Sequence, residues 1–117
     1  MSLEKNGRGQ IAVLLVHIDL IKRGYQVFTE DTSQGLIDLV AIHLETGETR
    51  YFDVKCISKR KDGTRVCRTL KENQKKWQEV SGQWIQLVYA DTSTYEVLYA
   101  EARRNLNSKN IFPYIYR

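Results

Sequence analysis

Apolar residues at Ile11, Leu14, Leu15, Ile18 and Ile21 recur with a 3.6-residue period, which predicts a helix over residues 10–22, just after Gly7-Arg8-Gly9. Ala12, Val13, Val16 and Leu20 widen that stripe until the segment is apolar nearly all round, the pattern of a helix buried against a sheet. Gly24 follows Lys22-Arg23, so cations fill the last turn and a residue tolerant of positive φ stops the helix. The pattern then changes to strands. Residues 25–28 read as a short strand, and residues 36–44, rich in Ile, Leu and Val, as a central one. Residues 49–57 return antiparallel to it across the turn Glu45-Thr46-Gly47-Glu48, making a hairpin.

Residues 58–66 form a charged loop with a tight turn at Asp62-Gly63. A second helix is predicted over 71–80, polar on most faces, with Trp77 and Val80 as its core contacts and Gly82 as its stop. Two strands follow, 84–89 and 95–99, joined by Asp91-Thr92-Ser93; Trp77 and Trp84 both read as core. Residues 105–117 begin polar and end with Phe112, Tyr114 and Tyr116. They fit a final strand, a packing tail or an oligomer contact equally well. The order α-β-β-β-α-β plus one strand is that of an α/β sandwich, and a chain of 117 residues has room for one core.

Composition adds little: 42% apolar and 27% charged residues are ordinary for a globular chain. No apolar run approaches the ~18–20 residues of a membrane span. The start Met1-Ser2-Leu3-Glu4-Lys5 lacks the apolar stretch and cleavage site of a signal peptide. These features lead us to expect a cytoplasmic protein with Cys56 and Cys67 as reduced thiols. A zinc site is disfavoured, since neither cysteine has a CxxC partner and His17 and His43 are distant in sequence. His17 reads as a core or interface histidine; His43 has no evident partner.

Charge is more informative. The chain carries +4, with a pI near 9.1. Between residues 55 and 76, nine basic residues face only Asp62 and Glu72, so this stretch alone is +7 and the remainder net acidic. Such a block suits a polyanion, or forms a solvated basic loop; the charge count alone does not choose.

The polar residues of the hairpin do. Asp38 interrupts Leu36-Ile37-Asp38-Leu39-Val40, and Asp53 and Lys55 interrupt Phe52-Asp53-Val54-Lys55-Cys56. Alternate residues of a strand share a face, so Asp53 and Lys55 point the same way, and hairpin pairing can set Asp38 beside Asp53. Two adjacent carboxylates repel unless a proton or a cation lies between them. A hard divalent ion such as Mg²⁺, or Mn²⁺ in its place, takes oxygen ligands and keeps several waters. It can activate water towards a phosphodiester, with Lys55 orienting that water or stabilising the transition state. A structural Asp–Lys ion pair is the bland alternative.

Asp38, then a hairpin, then Asp53-Val54-Lys55 resembles the signature of the PD-(D/E)xK nuclease superfamily. The run Arg8-Gly9-Gln10-Ile11-Ala12 and the helix ending Lys22-Arg23-Gly24-Tyr25-Gln26-Val27 are similar to the opening of its small endonuclease and Holliday-junction-resolvase-like branch. The resemblance implies a restriction-endonuclease-like αβββαβ core, a mixed central sheet flanked by helices. It further implies an Mg²⁺-dependent endonuclease acting on duplex or branched DNA, with Asp38 and Asp53 as metal ligands and Lys55 as catalytic lysine. Ile37 stands where the family usually has proline. Val13 stands where members often place a metal-side glutamate in the first helix, and Gln10, about one turn earlier, is the candidate neutral substitute; Glu4 is a weaker one.

Around these, Lys59, Arg60 and Lys61 in the loop and Arg68, Lys71 and Lys75 along the second helix are candidate phosphate contacts. Gln74, a position where members often carry glutamine, would bond a phosphate or the attacking water. Cutting both strands of a duplex needs two sites, which a homodimer would supply. The alternative reading is a catalytically degenerate nucleic-acid-binding module that has kept the fold, with Val13 as its supporting feature.

Overall fold

The computed structural model describes residues 2–30, 35–57, 61–63 and 69–100. Its elements are α1 (Ser2–Lys22), β1 (Tyr25–Thr29), β2 (Leu39–His43), β3 (Thr49–Cys56), α2 (Glu72–Ser81), β4 (Ile85–Ala90) and β5 (Val97–Tyr99). The strands form one sheet in the order β1-β2-β3-β4-β5. The first three pair antiparallel. The connection through α2 makes β4 parallel to β3, and β5 returns antiparallel to β4. This is the mixed α/β sheet flanked by helices that the sequence predicts, with β3 rather than β2 at its centre.

Alternation assigns the two faces. Leu39 and Ala41 on β2, Phe52 on β3, and Val88 and Ala90 on β4 point to one side, where they pack with Ala12, Val16 and Leu20 of α1. Phe52 and Tyr99 meet edge-on, their centroids 5.8 Å apart. Each fully buried large side chain of this core contributes roughly 1.5–3 kcal/mol of transfer free energy. Tyr99 Oη donates to Asp19 Oδ2 at 2.6 Å, Arg23 Nε donates to the same oxygen at 2.8 Å, and the Arg23 guanidinium lies 5.0 Å from the Tyr99 ring centre. This cluster fastens the end of α1 to β5. Burial and the facing Asp19 carboxylate push the Tyr99 hydroxyl pKa up, which keeps it a neutral donor.

Several expectations change. Helix α1 starts at Ser2, not residue 10, and its sheet-facing stripe is Ala12, Val16 and Leu20; Ile11, Leu14, Ile18 and Ile21 are 43–57% exposed. β2 begins at Leu39, placing Asp38 just ahead of the strand rather than within it. Val80 is 80% exposed and Trp84 37%, so neither is core. Trp77 packs edge-on against Tyr51 at 5.4 Å. Tyr95 belongs to the turn, where Asp91 Oδ1 accepts the Ser93 and Thr94 N–H groups, and β5 starts two residues later. His43 does have partners: its Nδ1 accepts the Glu45 and Thr46 N–H groups, and its ring meets Tyr25 edge-on. Cys67 and residues 105–117 lie outside the described residues, and Cys56 is a free thiol.

Candidate active site

The other face of the sheet carries Asp53 and Lys55, two residues apart on β3. The β2–β3 register sets Leu39 opposite Phe52, so the next rung places Asp38 opposite Asp53. Asp38 clamps this end of the hairpin: its N–H donates to Phe52 O at 3.0 Å, and its Oδ2 accepts the Val54 N–H at 2.7 Å. Asp53 is only 6% exposed. Its Oδ2 lies 3.2 Å from Lys55 Nζ and has no hydrogen-bond partner, while its Oδ1 accepts from Gln74 Nε2 at 3.2 Å.

Gln74 is the link to α2. It is buried; its Oε1 accepts the Lys71 N–H at 2.8 Å, and its Nε2 donates to Leu36 O at 2.8 Å as well as to Asp53. With the amide oxygen occupied by the helix N-terminus, the amino group has to face the carboxylate. One side chain therefore caps α2, ties it to the segment before β2 and orients Asp53. The sequence suggests Gln74 as a contact to phosphate or water; in the structure its amide is taken up by the protein.

Burial pushes the Asp38 pKa up from 3.8 to about 6. The Val54 N–H opposes this, the neighbouring Asp53 carboxylate, which also shares a hydrogen bond with it, reinforces it, and Lys55 draws it back. Two carboxyl groups this close, one of them reluctant to ionise, share a proton or a cation between them. The donor set fits a hard divalent ion: two neighbouring carboxylates, with the buried Asp53 Oδ2 held by the Lys55 ammonium at 3.2 Å. Among the described residues no group of three or more His, Cys, Asp or Glu side chains could hold a metal. Two carboxylates plus water and substrate phosphate are a common arrangement for Mg²⁺.

Gln10 does not join this cluster. It is exposed on α1, beyond the other face of the sheet, and no hydrogen bond links it to Asp38 or Asp53. Val13 packs against the core. The Glu4 side chain lies outside the described residues. Glu30, which the sequence reading passed over, donates its N–H to Asp38 O while its carboxylate accepts the Gly35 N–H; it buttresses the Asp38 backbone. Its only sequence signal is its place just after β1. Lys71 and Lys75 are exposed on α2 and Lys61 is exposed in the turn at 61–63, whereas Lys59, Arg60 and Arg68 lie outside the described residues. Helix α2 lies on the Asp53 face of the sheet, where Gln74 meets Asp53 and Trp77 meets Tyr51.

No protein-family model and no curated protein matches the chain. Among solved structures, it is similar to the bacterial homing endonuclease I-Ssp6803I, with a TM-score of 0.59 and 15% identity over 92% of this chain and 83% of that one. The likeness is one of fold: a mixed α/β architecture consistent with the restriction-endonuclease-like core.

Proposed function

We propose that the protein is a divalent-metal-dependent endonuclease that hydrolyses DNA phosphodiester bonds at Asp38, Asp53 and Lys55. The observation that carries this reading is the cross-strand rung of Asp38 and Asp53, with Lys55 Nζ 3.2 Å from Asp53 Oδ2, on a fold shared with a homing endonuclease. Asp38 and Asp53 would hold Mg²⁺ or Mn²⁺, which supplies charge neutralisation at the phosphoryl oxygens and a more acidic water. Asp53 is held for that task from two sides, by Gln74 and by Lys55. Lys55 is the only described cation paired directly with either carboxylate; it orients the water for in-line attack and stabilises the negative charge that develops. Lys71 and Lys75, with Lys61 and the remaining basic block, hold the backbone of duplex or branched DNA without reading sequence. A homodimer would carry two such sites.

The test is cleavage of linear duplex, branched and single-stranded DNA with and without Mg²⁺ or Mn²⁺. Metal-dependent cutting that Asp53→Ala abolishes, with circular dichroism unchanged, supports the reading. Salt-sensitive binding without cutting, insensitive to Asp53→Ala, would instead identify a catalytically degenerate binding module, the reading favoured by Gln10 and Val13 standing apart from the carboxylates.

A further inference from the structure

Helix α1 carries two apolar stripes, and the sheet uses only one. Ala12, Val16 and Leu20 are at most 1% exposed against the sheet. On the opposite side Ile11, Leu14, Ile18 and Ile21 are 43%, 57%, 52% and 54% exposed, and nothing among the described residues covers them. Their spacing of three, four and three residues is that of alternating a and d positions over two heptads, with isoleucine, leucine, isoleucine and isoleucine along the seam. This pattern buries itself against another helix of the same kind. A solvated helix face has no use for it.

We infer that this seam is a self-association surface, on which a second copy of the chain docks its own Ile11, Leu14, Ile18 and Ile21 about a two-fold axis. Three observations select a second copy as the occupant. The seam is self-complementary, as an isologous interface must be: similar aliphatic side chains repeat evenly from end to end, so the same stripe fits itself.

The second observation is size. Next to the seam runs an open groove whose lining includes Leu15, Ile18, Val97 and Tyr95 together with the charged Asp19, Lys22 and Glu96, where Tyr95 is 68% exposed and holds a left-handed backbone with φ 65°. A non-glycine residue in that conformation costs of order 1–3 kcal/mol unless its surroundings compensate. The four aliphatic residues and Tyr95 present on the order of 500 Å², near the top of the range for the largest patch on a monomer. Two copies would bury on the order of 1,000 Å² before any polar rim is counted, the size at which a contact becomes specific.

The third is charge. The cations of α2 lie across the sheet from α1, and the described charges beside the seam are of both signs, Arg8 and Lys22 with Asp19 and Glu96, so two copies meet without opposing their basic faces. Pairing through α1 leaves both carboxylate sites on the outside of the dimer. Association is thus independent of nucleic acid and of metal, and stands whether or not the site cuts DNA.

The test is sedimentation equilibrium of the full chain without DNA or divalent ions, over a wide concentration range. The expected result is a reversible shift from 13.7 kDa to twice that mass, which Leu14→Gln/Ile18→Gln abolishes while leaving the far-ultraviolet circular dichroism unchanged. Tyr95→Ala, at the edge of the patch, should weaken the association several-fold without abolishing it. A wild-type chain that stays monomeric at every concentration overturns the proposal. If the double variant of that monomer also unfolds more readily, the seam is covered by the chain's own remaining residues. A dimer that persists in the double variant overturns it as well.

Discussion

Replacing Asp38 by asparagine should make the metal-free protein more stable, which is the reverse of what altering a strand-end hydrogen-bond acceptor normally does. The asparagine amide keeps an oxygen for the Val54 N–H that Asp38 Oδ2 accepts at 2.7 Å, and the change removes a carboxyl whose pKa is raised from 3.8 to about 6. A raised carboxyl pKa means that the folded chain holds this proton more tightly than the unfolded chain does. Stability therefore falls as pH rises from about 3.8 to about 6 and stays reduced above that. At about 1.4 kcal/mol per pKa unit the full shift would correspond to roughly 3 kcal/mol; solvent screening of a partly exposed group brings this to on the order of 1–2 kcal/mol. Urea unfolding should show the Asp38→Asn variant level with wild type near the ordinary aspartate pKa and more stable above about 6, by the same ~1–2 kcal/mol read from the shift in midpoint. Mg²⁺ should then separate them again: wild type gains about 1.4 kcal/mol for each tenfold excess over the metal Kd, and the variant gains nothing. A variant that is no more stable than wild type above the raised pKa would refute the argument. So would a gain that persists unchanged at low pH.

Gln74→Ala removes the amide that joins Lys71, Leu36 and Asp53 and should cost about 1–3 kcal/mol in urea unfolding; a loss below a few tenths would show that α2 is held by other contacts. Lys71→Ala and Lys75→Ala should each reduce the slope of log K against log salt by about one, measured by fluorescence anisotropy on DNA, and neither should shift the urea midpoint. Tyr99→Phe breaks the 2.6 Å bond to Asp19 and should cost about 1 kcal/mol. Because Asp19 keeps its Arg23 partner, a much larger loss would contradict the description of this cluster.

The carboxylate rung was legible in the sequence because its causes are local. A short turn at residues 45–48 fixes the hairpin, the hairpin fixes the register, and a period of two then settles which side chains share a face. Asp38, Asp53 and Lys55 thus follow from positions in the chain. Gln74 was legible only as a candidate, because its contact to Asp53 spans 21 residues and depends on where α2 lands. The parallel pairing of β3 with β4 has the same long-range origin and carries no local signal. Asp38 lies just ahead of β2 rather than within it, and its carboxylate joins the backbone bond to Phe52 O in holding that end of the hairpin.

Helix α1 shows a different limit. A hydrophobic period identifies a helix and says that a stripe will be buried, but not by what. Where two stripes run along one helix, the bulkier is the natural choice for the core, and here that choice is wrong: the sheet takes Ala12, Val16 and Leu20. The same large residues that pointed to burial within the fold are the ones left open to a second chain. The two faces of the molecule are thereby divided in their chemistry. Aliphatic side chains at heptad spacing lie on the outer side of α1, and carboxylates, an ammonium group and the cations of α2 lie across the sheet from them. A surface of the first kind recognises its own copy through shape and apolar area, and one of the second kind recognises a polyanion through charge. Mutating either should leave the other intact, since the residues involved share no partners. A variant altered at Leu14 and Ile18 that changed the salt slope of DNA binding would show that this division is not real.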